Sequence, residues 1–203
     1  MAKGLFITFE GADGCGKTTQ INMLKDYLQK RGYNIVFTRE PGGIGLGERI
    51  REILLNYDGE VSDKCEAFLY LADRAQNVDI TIRPAVESGK IVLCDRHTDS
   101  SVAYQGYGRM QDIQKIKMLN GIATGGLNPD LTIVFDIDVE TSMKRVGTEK
   151  DRLESAGKDF YNRVRNGYIE LAKQEPDRIK LVDASKSIDE VFEQVLNIIN
   201  EFL

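Results

Sequence analysis

Five short apolar segments, spaced along the chain, restrict this sequence to a small group of folds. Each is a mostly continuous run of apolar residues rather than a strict alternation of apolar and polar ones. Such runs are typical of strands that helices cover on both faces, and parallel strands need crossover helices between them. The segments are Leu5 to Phe9, Asn34 to Thr38, Ile91 to Cys94, Leu131 to Ile137 and Arg178 to Val182.

Helical patterns occupy intervals between these segments. Apolar residues recur at helical spacing after the first segment, at Ile21, Leu24 and Leu28, and again near the end of the chain. The alternation predicts an α/β fold with a central parallel five-stranded sheet flanked by helices. With 203 residues and no linker or internal repeat, residues 1–203 are expected to form a single domain.

Cysteine usage points to a reducing environment. The three cysteines, Cys15, Cys65 and Cys94, are odd in number, and no two of them form a C-x-x-C pair. This pattern favours a cytoplasmic protein over a disulfide scaffold or a zinc site. We expect Cys65 and Cys94 to be small buried apolar residues.

Charge and hydropathy predict which partners the chain lacks. The opening "MAKGLFITFE" leads straight into a glycine-rich loop, so we interpret it as a strand and not as a secretory signal. No apolar stretch approaches the ~20 residues that a membrane-spanning helix needs. The formal net charge is −5, whereas nucleic-acid binders are normally basic. We therefore expect neither a membrane nor a nucleic acid as partner.

The stretch "EGADGCGKTTQ", Glu10 to Gln20, matches the phosphate-binding pattern G-x-x-x-x-G-K-[ST]. A strand enters it and a helix leaves it, which argues against an ordinary glycine-rich turn. In this motif backbone N–H groups surround phosphate oxygens, the lysine reaches the terminal phosphates and the hydroxyl binds Mg²⁺. We predict that Lys17 and Thr18 have these two roles. The predicted ATP-binding residues are Gly11, Ala12, Asp13, Gly14, Cys15, Gly16, Lys17, Thr18 and Thr19.

Charged residues follow two further strands. Asp95 ends a buried strand, at the sheet edge where open α/β folds bind ligands, and it can hold Mg²⁺ directly or through water. Arg96 follows it, and Arg39 ends the second strand in "FTREPGG". A guanidinium group suits a phosphate, although a strand-end ion pair or a solvated charge would also explain these arginines.

In "AFLYLADRAQ", Tyr70 and Arg74 are four residues apart and share one face if the segment is helical. A flat ring beside a planar donor group suits a nucleobase, which offers a face for stacking and a polar edge. On spacing alone, a Tyr–Arg packing pair remains the stronger alternative.

A phosphate loop does not define a reaction, because GTPases, motors and small-molecule kinases all use one. The guanine-reading N-K-x-D of GTPases is absent from this sequence. Four segments in order do resemble one family, thymidylate kinase. They are Glu10 to Thr19, Phe37 to Gly43, Tyr70 to Arg74, and Asp95 to Gly106 ("DRHTDSSVAYQG").

The resemblance implies a P-loop nucleoside monophosphate kinase fold, Mg²⁺ as cofactor, ATP and dTMP as substrates, dTDP as product in dTTP synthesis, and a homodimer. It also implies residue roles. Tyr70 would stack on thymine, Arg74 would bind the thymine edge, and Glu10 would lie near the acceptor sugar and phosphate. Tyr104 would lie beneath the deoxyribose, where its bulk disfavours a 2′-hydroxyl. The implied substrate-binding residues are Arg39, Tyr70, Arg74, Arg96, Ser101, Tyr104 and Gln105.

Some members of this family carry an arginine within the phosphate loop, whereas "ADGC" has none. In other, often bacterial, members the basic residues come from a lid that closes over ATP. The lid expected here is Lys144 to Ser155, with Arg152 as its principal arginine and Arg145 and Lys150 as further candidates. The implied catalytic residues are thus Lys17, Arg96, Arg152 and Glu10, and the implied metal ligands are Thr18 and Asp95.

The nucleophile in this reaction is an ionised oxygen of the acceptor phosphate, so no strong general base is needed. The sole histidine, His97, is therefore interpreted as structural. Two alternatives stay open on sequence grounds. One is a P-loop kinase for another nucleotide or nucleoside, and the other is a nucleotide-binding regulator without turnover.

Overall fold

The computed structural model describes residues 4–146 and 157–203. Within them, the chain forms five strands and nine helices, and one to three helices lie between successive strands. Two π-helical turns lie at Val78–Ile82 and Val102–Gly108. The strands are β1 (Leu5–Glu10), β2 (Ile35–Arg39), β3 (Ile91–Asp95), β4 (Leu131–Asp136) and β5 (Ile179–Asp183). The helices are α1 (Lys17–Lys30), α2 (Leu46–Asn56), α3 (Asp63–Asn77), α4 (Arg83–Glu87), α5 (Thr98–Ser101), α6 (Ile113–Thr124), α7 (Val139–Val146), α8 (Lys158–Gln174) and α9 (Ile188–Asn200).

The strands form one parallel sheet in the order β2-β3-β1-β4-β5, so the predicted α/β architecture is confirmed. Each predicted strand is present, and each boundary lies within one residue of the observed one. Strand β1 is central, with Leu5 paired to Ile91 on one side and Ile7 paired to Leu131 on the other.

Helices bury the sheet on both faces. Successive residues of β1 point to opposite faces: Ile7 packs in a cluster with α1 and α9, whereas Phe6 packs against Val78 and Ile82. Both β1 side chains are fully buried. A strand covered in this way favours apolar residues on both of its faces, which explains the mostly continuous apolar runs in the sequence.

The helix α3 shows where the expectation for a cysteine was wrong. Cys94 is buried in β3 as predicted, but Cys65 is exposed. It lies in the first turn of α3, where its N–H donates to the capping hydroxyl of Ser62, and its side chain faces outward. Residues 62–65 at the start of α3 are all exposed, so the Cys65 thiol is at the surface rather than in the core.

Parallel strands bring all their carboxyl ends to one edge of the sheet. Glu10, Arg39 and Asp95 end three neighbouring strands there, and the loop between β1 and α1 starts at the same edge.

Of the expected lid, Lys144 and Arg145 lie on α7, whereas Lys150 and Arg152 lie outside the described residues. In the part of the chain that the structure describes, no helix is long and apolar enough to cross a membrane.

Candidate active site

The loop between β1 and α1 presents backbone N–H groups and a lysine toward open space. Gly16 adopts a left-handed conformation and gives α1 no side-chain cap, so the N–H groups of the first turn remain available for an anion. The Lys17 ammonium donates to the carbonyls of Gly11 (3.1 Å) and Ala12 (3.3 Å). Gly11 has a φ of 135°, and a Cβ there would lie 2.8 Å from the Phe135 carbonyl oxygen.

Two clefts open at this edge of the sheet. The first, which we call the phosphate cleft, has an empty volume of about 870 Å³ including the part open to solvent. Its lining comprises Asp13, Gly14, Gly16, Lys17, Thr18, Thr19, Arg39, Glu40, Arg51, Asp95, Arg96 and Arg145. Residues predicted from three separate strand ends thus line one cavity.

The second, which we call the acceptor cleft, has an empty volume of about 530 Å³ on the same basis. Its lining comprises Asp13, Glu40, Pro41, Arg51, Leu55, Tyr70, Arg74, Arg96, Ser100, Ser101, Tyr104 and Gln105. Five of the predicted base and sugar residues line this cleft, namely Tyr70, Arg74, Ser101, Tyr104 and Gln105. Arg39 lines the other cleft, and Glu10 lines neither. The clefts share four residues, Asp13, Glu40, Arg51 and Arg96.

Arg96 lies where the two clefts meet. Its φ of 69° is in the left-handed region, which costs a non-glycine residue about 1 kcal/mol or more. Its N–H donates to the Phe9 carbonyl, its Nη2 lies 2.8 Å from Asp13 Oδ1, and its guanidinium lies 5.0 Å from the centre of the Tyr104 ring. Burial alone would raise the pKa of Asp13, but the charges of Arg96 and Lys17 outweigh it and lower that pKa. The pair is therefore ionised.

Arg74 is 1% exposed, and four of its five N–H groups have partners within the protein. They donate to Glu40 Oε2 (2.8 Å), Ser101 Oγ (2.8 Å), Asn120 Oδ1 (2.6 Å) and the His97 carbonyl (2.8 Å). The guanidinium thus forms the floor of the acceptor cleft, and one N–H of Nη2 has no partner among the residues that the structure describes. A thymine edge would have to use that single group.

Glu40 is the buried anion opposite Arg74. Its Oε1 accepts from Asn77 Nδ2 (3.0 Å) and lies 3.0 Å from His97 Nδ1. Burial favours the neutral acid, but the electrostatic interactions with His97 and Arg74 prevail and lower the pKa of Glu40 to about 2. The His97 side chain is fully buried against this carboxylate.

Glu10 lines neither cleft. Its carboxylate is fully buried and accepts from the backbone N–H of His97 (2.7 Å), from the Ser100 hydroxyl (2.5 Å) and from the Tyr168 hydroxyl (2.8 Å). Burial and the negative charge of Asp99 raise the pKa of Glu10 to about 7, against the hydrogen bonds that lower it. Any effect of Glu10 on a ligand must therefore pass through another residue.

Three polar residues of the clefts were not predicted from the sequence. Arg51 lines both and donates to the Pro41 carbonyl (2.9 Å), while Ser100 links the acceptor cleft to Glu10. Glu40 lies within the quoted segment "FTREPGG", where its position directly after a strand was the available signal. Arg51 gave a weaker signal, because three other charged residues, Glu48, Arg49 and Glu52, surround it in "GERIREIL".

Comparison with known proteins gives a consistent result. The family model for thymidylate kinase matches residues 9–195. The chain belongs to the thymidylate kinase family. A thymidylate kinase of Thermoanaerobacter sp. (strain X514) is 50% identical over 202 residues, with 99% of this chain and 100% of the relative covered. One from Desulfovibrio desulfuricans is 47% identical over 209 residues, with 98% and 96% covered.

A solved structure supports the same family. The crystal structure of thymidylate kinase from Ehrlichia chaffeensis superimposes with a TM-score of 0.82 at 36% identity, covering 98% of this chain and 99% of that one. The resemblance seen in the motifs is thereby confirmed, together with the P-loop kinase fold. The enzyme phosphorylates dTMP with ATP, giving dTDP for dTTP synthesis.

Proposed function

We propose that ATP binds with its phosphates in the phosphate cleft, that dTMP binds in the acceptor cleft, and that the phosphoryl group passes between them beside Arg96. The observation that carries this proposal is the shared lining of the two clefts, which includes Arg96 and Arg51. Transfer needs the two substrates in line and their charge neutralised, and two guanidinium groups at the junction serve both needs.

On the ATP side, we assign phosphate binding to the backbone of Gly11 to Thr19 and to the Lys17 ammonium. Support comes from the uncapped N-terminus of α1 and from the position of Lys17 across the loop. Arg145 lines the same cleft, and its Nη1 donates to the Ala184 carbonyl (3.2 Å). It therefore joins Arg152 as a basic residue available to ATP.

On the dTMP side, Arg96 is assigned to the phosphate at the junction of the clefts, and Tyr70 to stacking on thymine. Arg39 lines the phosphate cleft, so we assign it to the same phosphate from that side. Arg74 is assigned to the thymine edge through its remaining N–H, with Ser101, Tyr104 and Gln105 lining the base and sugar pocket. Tyr104 is 6% exposed, so its ring forms a rigid wall. A wall of this kind discriminates against a ribose 2′-hydroxyl by steric exclusion.

The residues also fit Mg²⁺ as cofactor. Asp95 Oδ1 is buried and has no hydrogen-bond partner among residues 4–146 and 157–203, and Thr18 lines the same cleft. An unsatisfied carboxylate oxygen and a hydroxyl are ligands that Mg²⁺ accepts directly or through water. When bound, the ion would neutralise charge on the β- and γ-phosphates. Asp95 and Thr18 would hold it against the end of β3 and the start of α1.

We further propose a single domain over residues 1–203 with a mobile lid over 144–155, where Arg152 stabilises charge on the transferring group and closure excludes water. His97 takes no part in proton transfer, because its ring is buried against Glu40 rather than in a cleft. We place the enzyme in the cytoplasm, because its product is a precursor for DNA synthesis. We propose no nucleic-acid partner, because the formal net charge of −5 disfavours nucleic-acid binding.

A homodimer completes the proposal. Large apolar side chains are exposed on three helices that pack side by side, α2, α3 and α6. Phe68 on α3 is 58% exposed and Ile122 on α6 is 71% exposed, and Ile53 on α2 and Met118 on α6 are also exposed. Adjacent apolar side chains on neighbouring helices are typical of a subunit interface.

Arg51 offers a direct test with a matched control on the same helix. Arg49, two residues away, is exposed and bonds only weakly to Glu52 (3.4 Å). Loss of a charged hydrogen bond costs about 1.5–3 kcal/mol, so Arg51→Ala is expected to lower kcat/KM for dTMP about 10- to 100-fold. Arg49→Ala should stay within about twofold of wild type. Equal kinetics for the two variants would contradict the placement of transfer at the junction of the clefts.

A further inference from the structure

A short hydrogen-bond chain joins a buried acid to the acceptor cleft. Ser100 lines that cleft, and its hydroxyl donates to Glu10 Oε2 (2.5 Å) while accepting from Arg96 Nη1 (3.4 Å). The Tyr168 hydroxyl lies 3.0 Å from Ser100 Oγ and 2.8 Å from Glu10 Oε2. One hydroxyl therefore separates the fully buried Glu10 from the guanidinium assigned to the acceptor phosphate.

Charged groups approach Glu10 from several elements. Asp99 on α5 adds negative charge, although Arg178 pairs with it at 2.7 Å and 3.0 Å. Arg96 after β3 adds positive charge, Tyr168 on α8 donates a hydrogen bond, and Lys17 on α1 stays with the carbonyl of Gly11. The His97 ring faces Glu40 instead. With its pKa raised to about 7 by burial, Glu10 changes protonation easily near neutral pH.

We propose that Glu10 is a positioning residue that holds one proton for the acceptor phosphate and exchanges it through the Ser100 hydroxyl. This inference rests on the proposed placement of that phosphate beside Arg96. With Glu10 neutral, its O–H donates to Ser100 Oγ, and the Ser100 hydroxyl turns to donate to the phosphate. With Glu10 ionised, the Ser100 hydroxyl is held by the carboxylate and is withdrawn from the cleft.

The proton balance closes for both forms of the acceptor. A phosphate monoester has a second pKa near 6, so both the monoanion and the dianion occur in solution. A monoanion gives its proton to Ser100 Oγ as the Ser100 proton passes to Glu10 Oε2, which leaves the dianion as the nucleophile. A dianion instead raises the pKa of the nearby carboxyl, and Glu10 takes its proton from water. Both routes give the same complex.

Proton uptake on binding tests the proposal. At pH 7.5 a group with a pKa of about 7 is about one-quarter protonated, so full protonation takes up at most about 0.75 proton per dTMP. Titration calorimetry of dTMP binding in Tris and in HEPES measures this number. We expect between about 0.3 and 0.75 proton for the wild type with dTMP, and none with thymidine, which lacks the phosphate.

Glu10→Gln mimics the neutral acid, because its amide can donate to Ser100 and Tyr168 and its oxygen can accept from the His97 N–H. The variant should bind dTMP with an uptake below about 0.1 proton, and Ser100→Ala should bind dTMP with an uptake below about 0.3 proton. Between pH 7 and 8.5, where dTMP stays a dianion, wild-type affinity should fall about three- to tenfold and Glu10→Gln affinity less than twofold.

Equal proton uptake in the wild type and Glu10→Gln, or equal uptake with dTMP and thymidine, would overturn the inference. Should Glu10→Gln fail to fold, the thymidine comparison and the wild-type pH dependence still decide. Arg96→Ala separates this failure from failure of the proposed site. If that variant binds dTMP as tightly as wild type, the phosphate does not lie beside Arg96. If it binds dTMP more weakly while wild type and Glu10→Gln take up equal numbers of protons, the placement of the phosphate stands and the role of Glu10 alone is contradicted.

Discussion

Replacement of Arg74 by methionine tests the buried ion pair that forms the floor of the acceptor cleft. Both Arg74 and Glu40 have side chains that are 1% exposed, and Nε lies 2.8 Å from Oε2. Removal of one partner from such a pair costs about 3–5 kcal/mol, because the remaining charge stays buried without compensation. For a chain of this length, 1 kcal/mol shifts Tm by about 2–4 °C, so we expect a Tm lower by about 10 °C.

The contribution of the pair to the free energy of unfolding depends on pH through the ionisation of Glu40. Glu40 has a pKa of about 2 in the folded protein and an ordinary value of 4.5, so its stabilisation is present above pH 4.5 and is lost as the pH falls through 2. Without Arg74 that pKa rises, and the pH-dependent part of the stabilisation shrinks. The difference in unfolding free energy between wild type and Arg74→Met should therefore be constant from pH 5 to 7 and decrease toward pH 3.

Thermal and urea unfolding monitored by circular dichroism measure both effects. Arg49→Met, at an exposed arginine, is the matched control and should stay within about 0.5 kcal/mol of wild type. The double variant Glu40→Gln, Arg74→Met should lose less free energy of unfolding than the two single variants lose together. The difference, which is the coupling energy of the pair, should be about 1.5 kcal/mol or more. An Arg74→Met variant within about 1 kcal/mol of wild type at pH 7, or strict additivity, would refute the reasoning.

Three further predictions concern the lid, the metal and helix α9. Arg152→Ala should lower kcat about 10³-fold with little change in dTMP affinity, measured by steady-state assay and calorimetry, and an unchanged kcat would remove this arginine from the mechanism. Asp95→Asn should raise the Mg²⁺ concentration for half-maximal activity about tenfold or more, and an unaltered Mg²⁺ titration would exclude Asp95 as a ligand. Ser187→Ala removes the capping box of α9 and should cost about 1 kcal/mol in urea unfolding, whereas no loss would show that the cap is dispensable.

The sheet could be predicted from the sequence because its cause is local. Both faces of a central strand such as β1 are covered, so its segment is mostly apolar and can be recognised without knowing its neighbours. The phosphate loop was equally predictable, since its glycines, Lys17 and Thr18 lie within one short stretch. Both features depend on residues that are close together along the chain.

The hydrogen bonds of Arg74 were not predictable, because its partners come from distant parts of the chain. Glu40 follows β2, Ser101 ends α5 and Asn120 lies on α6. Spacing showed that Tyr70 and Arg74 share a helix face, but it could not show how many donors of Arg74 the protein itself uses.

The environment of Glu10 was not predictable from the sequence either. Its hydroxyl partners, Ser100 and Tyr168, lie 90 and 158 residues away. The sequence placed Glu10 at a strand end beside the site, whereas the fold shows that it is buried behind Ser100 and lines neither cleft. Burial and distant contacts thus account for most of what the motifs left open.

The central claim is that the acceptor cleft selects dTMP. The most direct test measures ADP release with Mg-ATP and a panel of acceptors, dTMP, AMP, CMP and UMP, under identical conditions. The account predicts rapid ADP release with dTMP and a kcat/KM at least about 10²-fold lower with each ribonucleotide, as expected when a pocket excludes the 2′-hydroxyl and the other bases. Activity on AMP, CMP or UMP without activity on dTMP would contradict it.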